Sequence, residues 1–544
     1  MKTIRALSLV FLLAILATPS CQEFKLNPDD LVINLELDLI KTNINLRFYD
    51  AASKQMIGAN DDLKISVTIH GQDSLYIIDP SGTQFEVYNT GGGFLGLALD
   101  PFSAIPTEDD PIIFNIVASL DGYLNTSKTL VIGREGIHEV GLEMVNLTHT
   151  PDGVEIGLLD DAGTANSGIL DNNIFVYTQS GNASFLVPQG TNLMDKSGQA
   201  LSGKLNASLV HFDPSVPGVL QAFPGGLDVT IINEDGDFEE VFFVSAAFMD
   251  IKITDANNHT VESFEQGVME LDIDIDPNII NPETGQHAQA GDEISIWSYD
   301  EDSGIWKFEG KKTIYPTPEG LGIKAEIPHL SSWNLAWTGA NNHAGWKKIE
   351  FLSPSASYDS NDFSFAVTVV MDPSNSLSLS EASWSQSYVI TGSPDGNNEL
   401  FMKNFPSEPL IISFTNLDVC GVSLWETPSD IAVNLSTYSG DYSLTLTPSS
   451  NQSTRTVNVI IHCLDTGQDI TPTQTLMGRY REKGTSCWII KSFTNGTTTI
   501  GGLEDNTVYE IQAWYNNSWV PASPYEKNTG TGSTVLFEPA INCI

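Results

Sequence analysis

Short runs of alternating apolar and polar residues, broken by Gly, Asn, Asp, Ser and Pro, recur along most of the chain. Successive side chains of an extended strand point to opposite faces, so each run predicts a β-strand with one face in a core and the other in water. Residues 31–39 (LVINLELDL), 63–69 (LKISVTI) and 112–118 (IIFNIVA) carry the pattern. It is clearest at 268–275, where Met269, Leu271, Ile273 and Ile275 share one face while Glu270, Asp272 and Asp274 share the other. No stretch of similar length holds a helical period with caps. The expected fold class is therefore all-β, built of antiparallel β-sandwich modules in series.

One apolar run departs from this pattern. Residues 6–17 are almost wholly apolar, follow Lys2 and Arg5, and lead into Thr18, Pro19, Ser20 and Cys21. A charged start, an apolar core of about 7–15 residues and a small-residue exit predict a secretory signal peptide, here 1–20, because a membrane span needs ~20 apolar residues. The Ser20-Cys21 junction resembles the lipobox of bacterial lipoproteins, although Thr18 stands where an aliphatic residue is usual. The resemblance implies cleavage before Cys21 and acylation of that cysteine, by palmitate or a similar chain. A flexible leader over 21–30 would then tether the protein to an outer membrane or cell surface. The alternative is an ordinary signal peptide with Cys21 in a disulfide.

The five cysteines bear on that choice. With Cys21 lipidated, Cys420, Cys463, Cys487 and Cys543 form an even set of disulfide candidates in an oxidising compartment. Three pairings are open. No C-x-x-C pair occurs, so zinc is a poor reading of them.

Within the β pattern, module boundaries fall near 31–147, 148–340, 346–455 and 456–544. In the first, residues 45–50 (NLRFYD), the glycines at 91–93 and 117–123 (VASLDGY) resemble carboxypeptidase-regulatory-like, transthyretin-like sandwiches. In the second, the motif order runs from 184–191 (SFLVPQGT) through 223–226 (FPGG) and 291–300 (GDEISIWSYD) to 329–334 (HLSSWN). That order is similar to a module of exported bacterial surface proteins, and distantly to the extracellular part of the astroprincin family. Residues 338–345 (TGANNHAG) read as a linker. In the last module, 497–514 resembles a fibronectin type III stretch, which implies an Ig-like sandwich.

At 544 residues and 41% hydrophobic content, the chain can build several cores. Its formal charge of −44 repels phosphate backbones, which sets nucleic acid aside as a partner. Phosphate-binding loops, nucleophile elbows and H-E-x-x-H motifs are missing from the sequence. His329, followed by Ser331 and Ser332, is better read as a strand-end residue beside Trp333 than as part of a triad. No cofactor is indicated except calcium. Asp235 and Asp237, and Asp300 and Asp302, are calcium candidates on acidic turns, weighed against simple solvated turns. Trp297, Trp306, Trp333 and Trp337 read as core, whereas Trp514, Tyr515 and Trp519, near a turn at Asn516-Asn517, are candidates for stacking on a sugar.

Two functions remain. The first is a non-enzymatic, lipid-anchored surface protein whose modules serve adhesion or the binding of a ligand, such as a glycan or another surface protein. The second is a glycan hydrolase using paired carboxylates.

Overall fold

A computed structural model describes residues 40–59, 63–340 and 347–541, apart from 217–218, 227, 266, 319, 353–363, 372–384, 392–398, 403–408, 418–424, 435–441, 448–453, 465, 472–474, 516 and 539. The strand read at 31–39 and the signal and leader regions lie outside the described residues. Among the described residues regular structure is β-strand, with two short 3-10 turns at Gln72–Tyr76 and Val219–Ala222. Residues 40–544 form one compact unit.

Two four-stranded sheets make the first sandwich. One orders Ile77–Ile78, Phe94–Leu99, Thr42–Asp50 and Gly136–Met144; the other orders Tyr88–Asn89, Ser66–His70, Ile112–Ser119 and Thr126–Ile132. Ile44, Leu46 and Phe48 meet Val67, Phe114 and Ile116 in a shared core. Alternation predicts that Asn45 and Arg47 on the reverse face should be wet, yet both are buried. They satisfy each other's surroundings through Glu139, which accepts from Asn45 at 2.7 Å and from Arg47 at 3.2 Å. Their strand neighbour Phe94–Leu99 is buried at every position. A second layer therefore covers this face.

In the second region the strand Met269–Ile275 reproduces the predicted alternation, with Met269, Leu271, Ile273 and Ile275 buried. It lies in a five-stranded sheet that packs across a core from Gly203–Phe212 and the last half of the 18-residue strand Phe238–Asp255. That long strand also enters a second arrangement. Asp228–Ile232 pairs with it on one edge, Ser332–Ala340 on the other. Ile305–Thr313 and Glu293–Asp300 complete the circuit between those two. Five strands thus close a ring, which removes its edges. Phe223, Phe243, Phe248, Trp297 and Trp306 fill one side of the ring wall, while Trp333 and Trp337 face the sandwich core on the other. The expected linker at 338–345 is shorter than its composition implies: Thr338 and Gly339 pair with Phe243 and Phe242, because closing the ring extends Ser332–Ala340 to residue 340.

Sheets of the third region hold strands between 347 and 445, and those of the fourth hold strands between 454 and 541. Phe351, Val367 and Phe414 of the third belong to one continuous core with the second region. In the fourth, the Tyr509 hydroxyl accepts a hydrogen bond from the backbone N–H of Glu504 at 3.2 Å, a corner arrangement found in Ig-like sandwiches. Met477, Ile490, Trp514 and Trp519 of this region pack into the core of the first. The series of modules is folded back on itself, so that its first and last members touch.

A polar cleft between the first two regions

Several candidate residues prove to be structural. Trp514 and Trp519 are 2% and 9% exposed, so the sugar-stacking reading is corrected for both. Phe94 lies 5.5 Å from the Trp514 ring and 5.6 Å from that of Trp519. The Trp519 indole N–H donates to the Gly91 carbonyl at 2.7 Å. Glycine makes this approach possible: a Cβ on Gly91 would come within 2.5 Å of both indoles, and one on Gly96 within 3.0 Å of Trp514. Tyr515 alone of the three keeps an exposed ring, at 38%. These two tryptophans with Gly91 and Gly96 are the second layer over the first sandwich.

Two of the four calcium candidates, Asp300 and Asp302, meet protein cations instead. Asp300 accepts from Lys307 at 3.0 Å, and Asp302 pairs with Lys196 and faces His70 at 3.7 Å, so protein cations already occupy these carboxylates. Asp235 and Asp237 sit on an exposed turn whose backbone N–H groups are capped by Asn233. Among the described residues no three His, Cys, Asp or Glu side chains gather to hold a metal ion. Cys463 and Cys487 are each disulfide-bonded; Cys21, Cys420 and Cys543 lie outside the described residues.

No Ser–His pair forms near His329. Ser331 Oγ donates to the Tyr299 carbonyl at 2.6 Å, Ser332 Oγ donates to Asp250 Oδ2 at 2.7 Å, and His329 Nε2 contacts Glu309 Oε1 at 3.2 Å. The His329 ring lies against Trp333 with centroids 4.9 Å apart.

These hydrogen bonds border a cleft of about 430 Å³ where the first region meets the ring. Tyr123, Leu124 and Leu147 form its wall on one side, and Asp250, Glu262 and Glu301 lie on the other. The junction is fixed by specific contacts. Ser127 Oγ and Tyr299 Oη are 2.9 Å apart, Gly225 N–H donates to the Ser127 carbonyl at 2.9 Å, and Asn115 donates to the backbone carbonyl of Glu301. Gly304, at φ +71°, closes the turn that carries Glu301; a Cβ there would strike Thr129 Oγ1.

Electrostatics set the cleft apart. Burial pushes the Glu301 carboxyl up to about 7, and the neighbouring charge of Asp250 adds to the shift. Burial also raises Asp250, against the Ser332 hydrogen bond, and raises Glu262. Asp300 moves the other way, since Lys307 and the Ser303 N–H outweigh its own burial. Glu309 is held below its ordinary range by His329. Asp250 and Glu262 escaped the sequence reading. A signal was present for Asp250, the lone acid within the apolar run 241–251, but nothing near Glu262 or Glu301 marks them as its companions.

No protein-family profile matches the chain, and no curated protein matches it. Among solved structures it is similar to the shaft pilin SpaA of Lactobacillus rhamnosus GG, at 9% identity and TM-score 0.19, over 37% of this chain and 98% of that one. It is also similar to the minor pilin GBS52 of Streptococcus agalactiae, at 13% identity and TM-score 0.13, over 36% of this chain and 96% of that one. Two B repeat units of the Staphylococcus aureus collagen-binding protein align over 87% of this chain and 93% of theirs, at 10% identity and TM-score 0.13. Similarity at this level carries no argument about function.

Proposed function

We propose that this is an exported, non-enzymatic surface protein, tethered through a lipid on Cys21, whose interlocked β-sandwich regions serve adhesion or ligand binding. The observation that carries this reading is how the reactive side chains are spent. Ser331, Ser332 and His329 each point their polar atoms at a structural partner, and among these three no hydroxyl is paired with the imidazole. The buried disulfide-bonded Cys463 fits an oxidising compartment, in keeping with the signal-like N-terminus. Replacing Cys21 with Ala should release the protein from membranes and abolish labelling by a fatty-acid analogue; unchanged membrane retention would remove the tether. Binding itself is tested by glycan arrays and surface-protein pull-downs with the chain from Gln22 onward.

A second reading is favoured by one specific feature. Glu301, raised to about 7 beside Asp250, has the protonation of a general acid at neutral pH, as a carboxylate-based glycan hydrolase requires. Release of reducing ends from a polysaccharide, lost in Glu301→Gln and Asp250→Asn, would establish that reading over the non-enzymatic one.

A further inference from the structure

Two carboxyl groups in the cleft have oxygens that no side chain among the described residues engages. Asp250 is only 9% exposed; its Oδ2 accepts from Ser332, and among the described residues Oδ1 has no hydrogen bond. Glu301 has no side-chain hydrogen bond or ion pair among the described residues, although it lines the same space. Desolvation in the cleft favours the neutral form of both carboxyls in the free protein. The other charged groups around the cleft are already matched: Lys196 with Asp302, Lys307 with Asp300, and His329 with Glu309. His70 of the first region also faces Asp302. What remains is Asp250, Glu262 and Glu301 against the single exposed Lys252.

We propose that this cleft is a binding site for an organic ammonium group, with Asp250 and Glu301 accepting its N–H donors and Leu124, Leu147 and Leu330 packing its alkyl stem. The inference rests on the binding-protein reading and gives it a ligand class. The volume suits a small ligand, since such sites run to roughly 300–1,000 Å³. An anion would meet lysines that are already neutralised and carboxyls that repel it. A metal ion needs several ligands converging at one point, which the described residues do not supply. An ammonium spreads three donors over separate acceptors, so it tolerates the looser arrangement. Two sources share this chemistry, a free polyamine and a lysine side chain on a partner protein.

Binding is then linked to protons. A cation beside Glu301 favours its ionised form, so the complex releases the proton that the free protein holds, and affinity rises as pH increases through about 7. Lys252 and Lys196 oppose the incoming charge slightly, and Glu262, Asp300 and Asp302 support it.

The test is titration calorimetry of the chain from Gln22 onward with spermidine, with a short acetylated lysine peptide, and with calcium chloride, at pH 5.5 and 7.5. The expected result is saturable binding of spermidine or the peptide, tighter at pH 7.5, with proton release. Glu301→Gln and Asp250→Asn should each weaken it at least tenfold at an unchanged melting temperature. Glu234→Gln, on the exposed turn of the ring, should have no effect. Spermidine binding without the peptide assigns a free amine, and peptide binding assigns a protein partner. No binding of either by the native chain, equal binding by the two variants, or preference for calcium would overturn the inference. Adhesion surviving in Glu301→Gln would separate its failure from that of the broader reading, which would fall only if the native chain bound no surface at all.

Discussion

The tryptophans of the second and fourth regions are all buried, but by different means. Trp297, Trp306 and Trp333 take their ring contacts from their own region, the first two against Phe243 and Trp333 against His329, and Trp337 shares the sandwich core with Trp333. Trp514 and Trp519 are enclosed by a glycine-containing strand and turn more than 400 residues earlier in the chain. In one case the core is built locally by alternation. In the other an aromatic pair projects from a hairpin and finds its cover only when the first and last regions dock. The same residue type at similar spacing therefore serves intramodule packing in one place and intermodule closure in another.

Trp306 gives the largest expected effect. It is fully buried, stacks on Phe223 at 5.7 Å and meets Phe243 edge-on at 5.5 Å. Trp306→Ala should cost on the order of 3–5 kcal/mol in denaturant unfolding. Its indole N–H has no hydrogen-bond partner among the described residues, so Trp306→Phe should cost clearly less, the lost volume being partly offset by removal of a stranded donor. If both variants unfolded alike, the ring would be held by something other than this aromatic packing.

The docked pair predicts a smaller, divisible effect. Gly91→Ala forces a methyl group against both indoles and should destabilise by about 1–3 kcal/mol, with a red shift of tryptophan fluorescence as the fourth region loosens. Adding Trp519→Ala should recover part of that loss, because the two positions are coupled by contact. Strict additivity of the pair in a double-mutant cycle would mean that the contact does not hold the regions together.

Strand content was legible in the sequence wherever one region supplied both the strand and its cover. Met269–Ile275 shows this, since each apolar residue faces a core made by its own sheet partners. Ring closure was hidden because it depends on pairs such as Val244 with Trp337, which no local pattern connects. Burial of Asn45 and Arg47 was hidden for the same reason: their cover comes from the other end of the chain. The acidic turn at 300–302 was visible as charge, but its division of labour was not. Lys307 and Lys196 neutralise the outer two acids and leave Glu301 in the cleft, a distinction set by residues that only folding brings together.

The smallest effect concerns pH and separates the two kinds of burial most cleanly, because tryptophan packing does not titrate. Glu301 has its folded-state pKa raised from 4.5 to about 7, so the folded protein binds its proton more tightly than the unfolded chain does. Its contribution to stability is fully present below about pH 4.5 and is lost as pH rises through about 7. Asp250 and Glu262 shift in the same direction and add to the decline, whereas Asp300 and Glu309, which are held low, lose their contributions only in more acidic solution. The difference in unfolding free energy between the native chain and Glu301→Gln should therefore change across pH 4.5 to 7.5, with the variant declining less steeply. Glu301 is partly open to solvent, so screening keeps the change below what a full shift of that size would give. Trp306→Ala should lower the whole curve without altering its slope in that window. Parallel curves for the native chain and Glu301→Gln would show that the cleft carboxyl is solvated in the free protein, and would leave the junction of the first two regions without its buried charge.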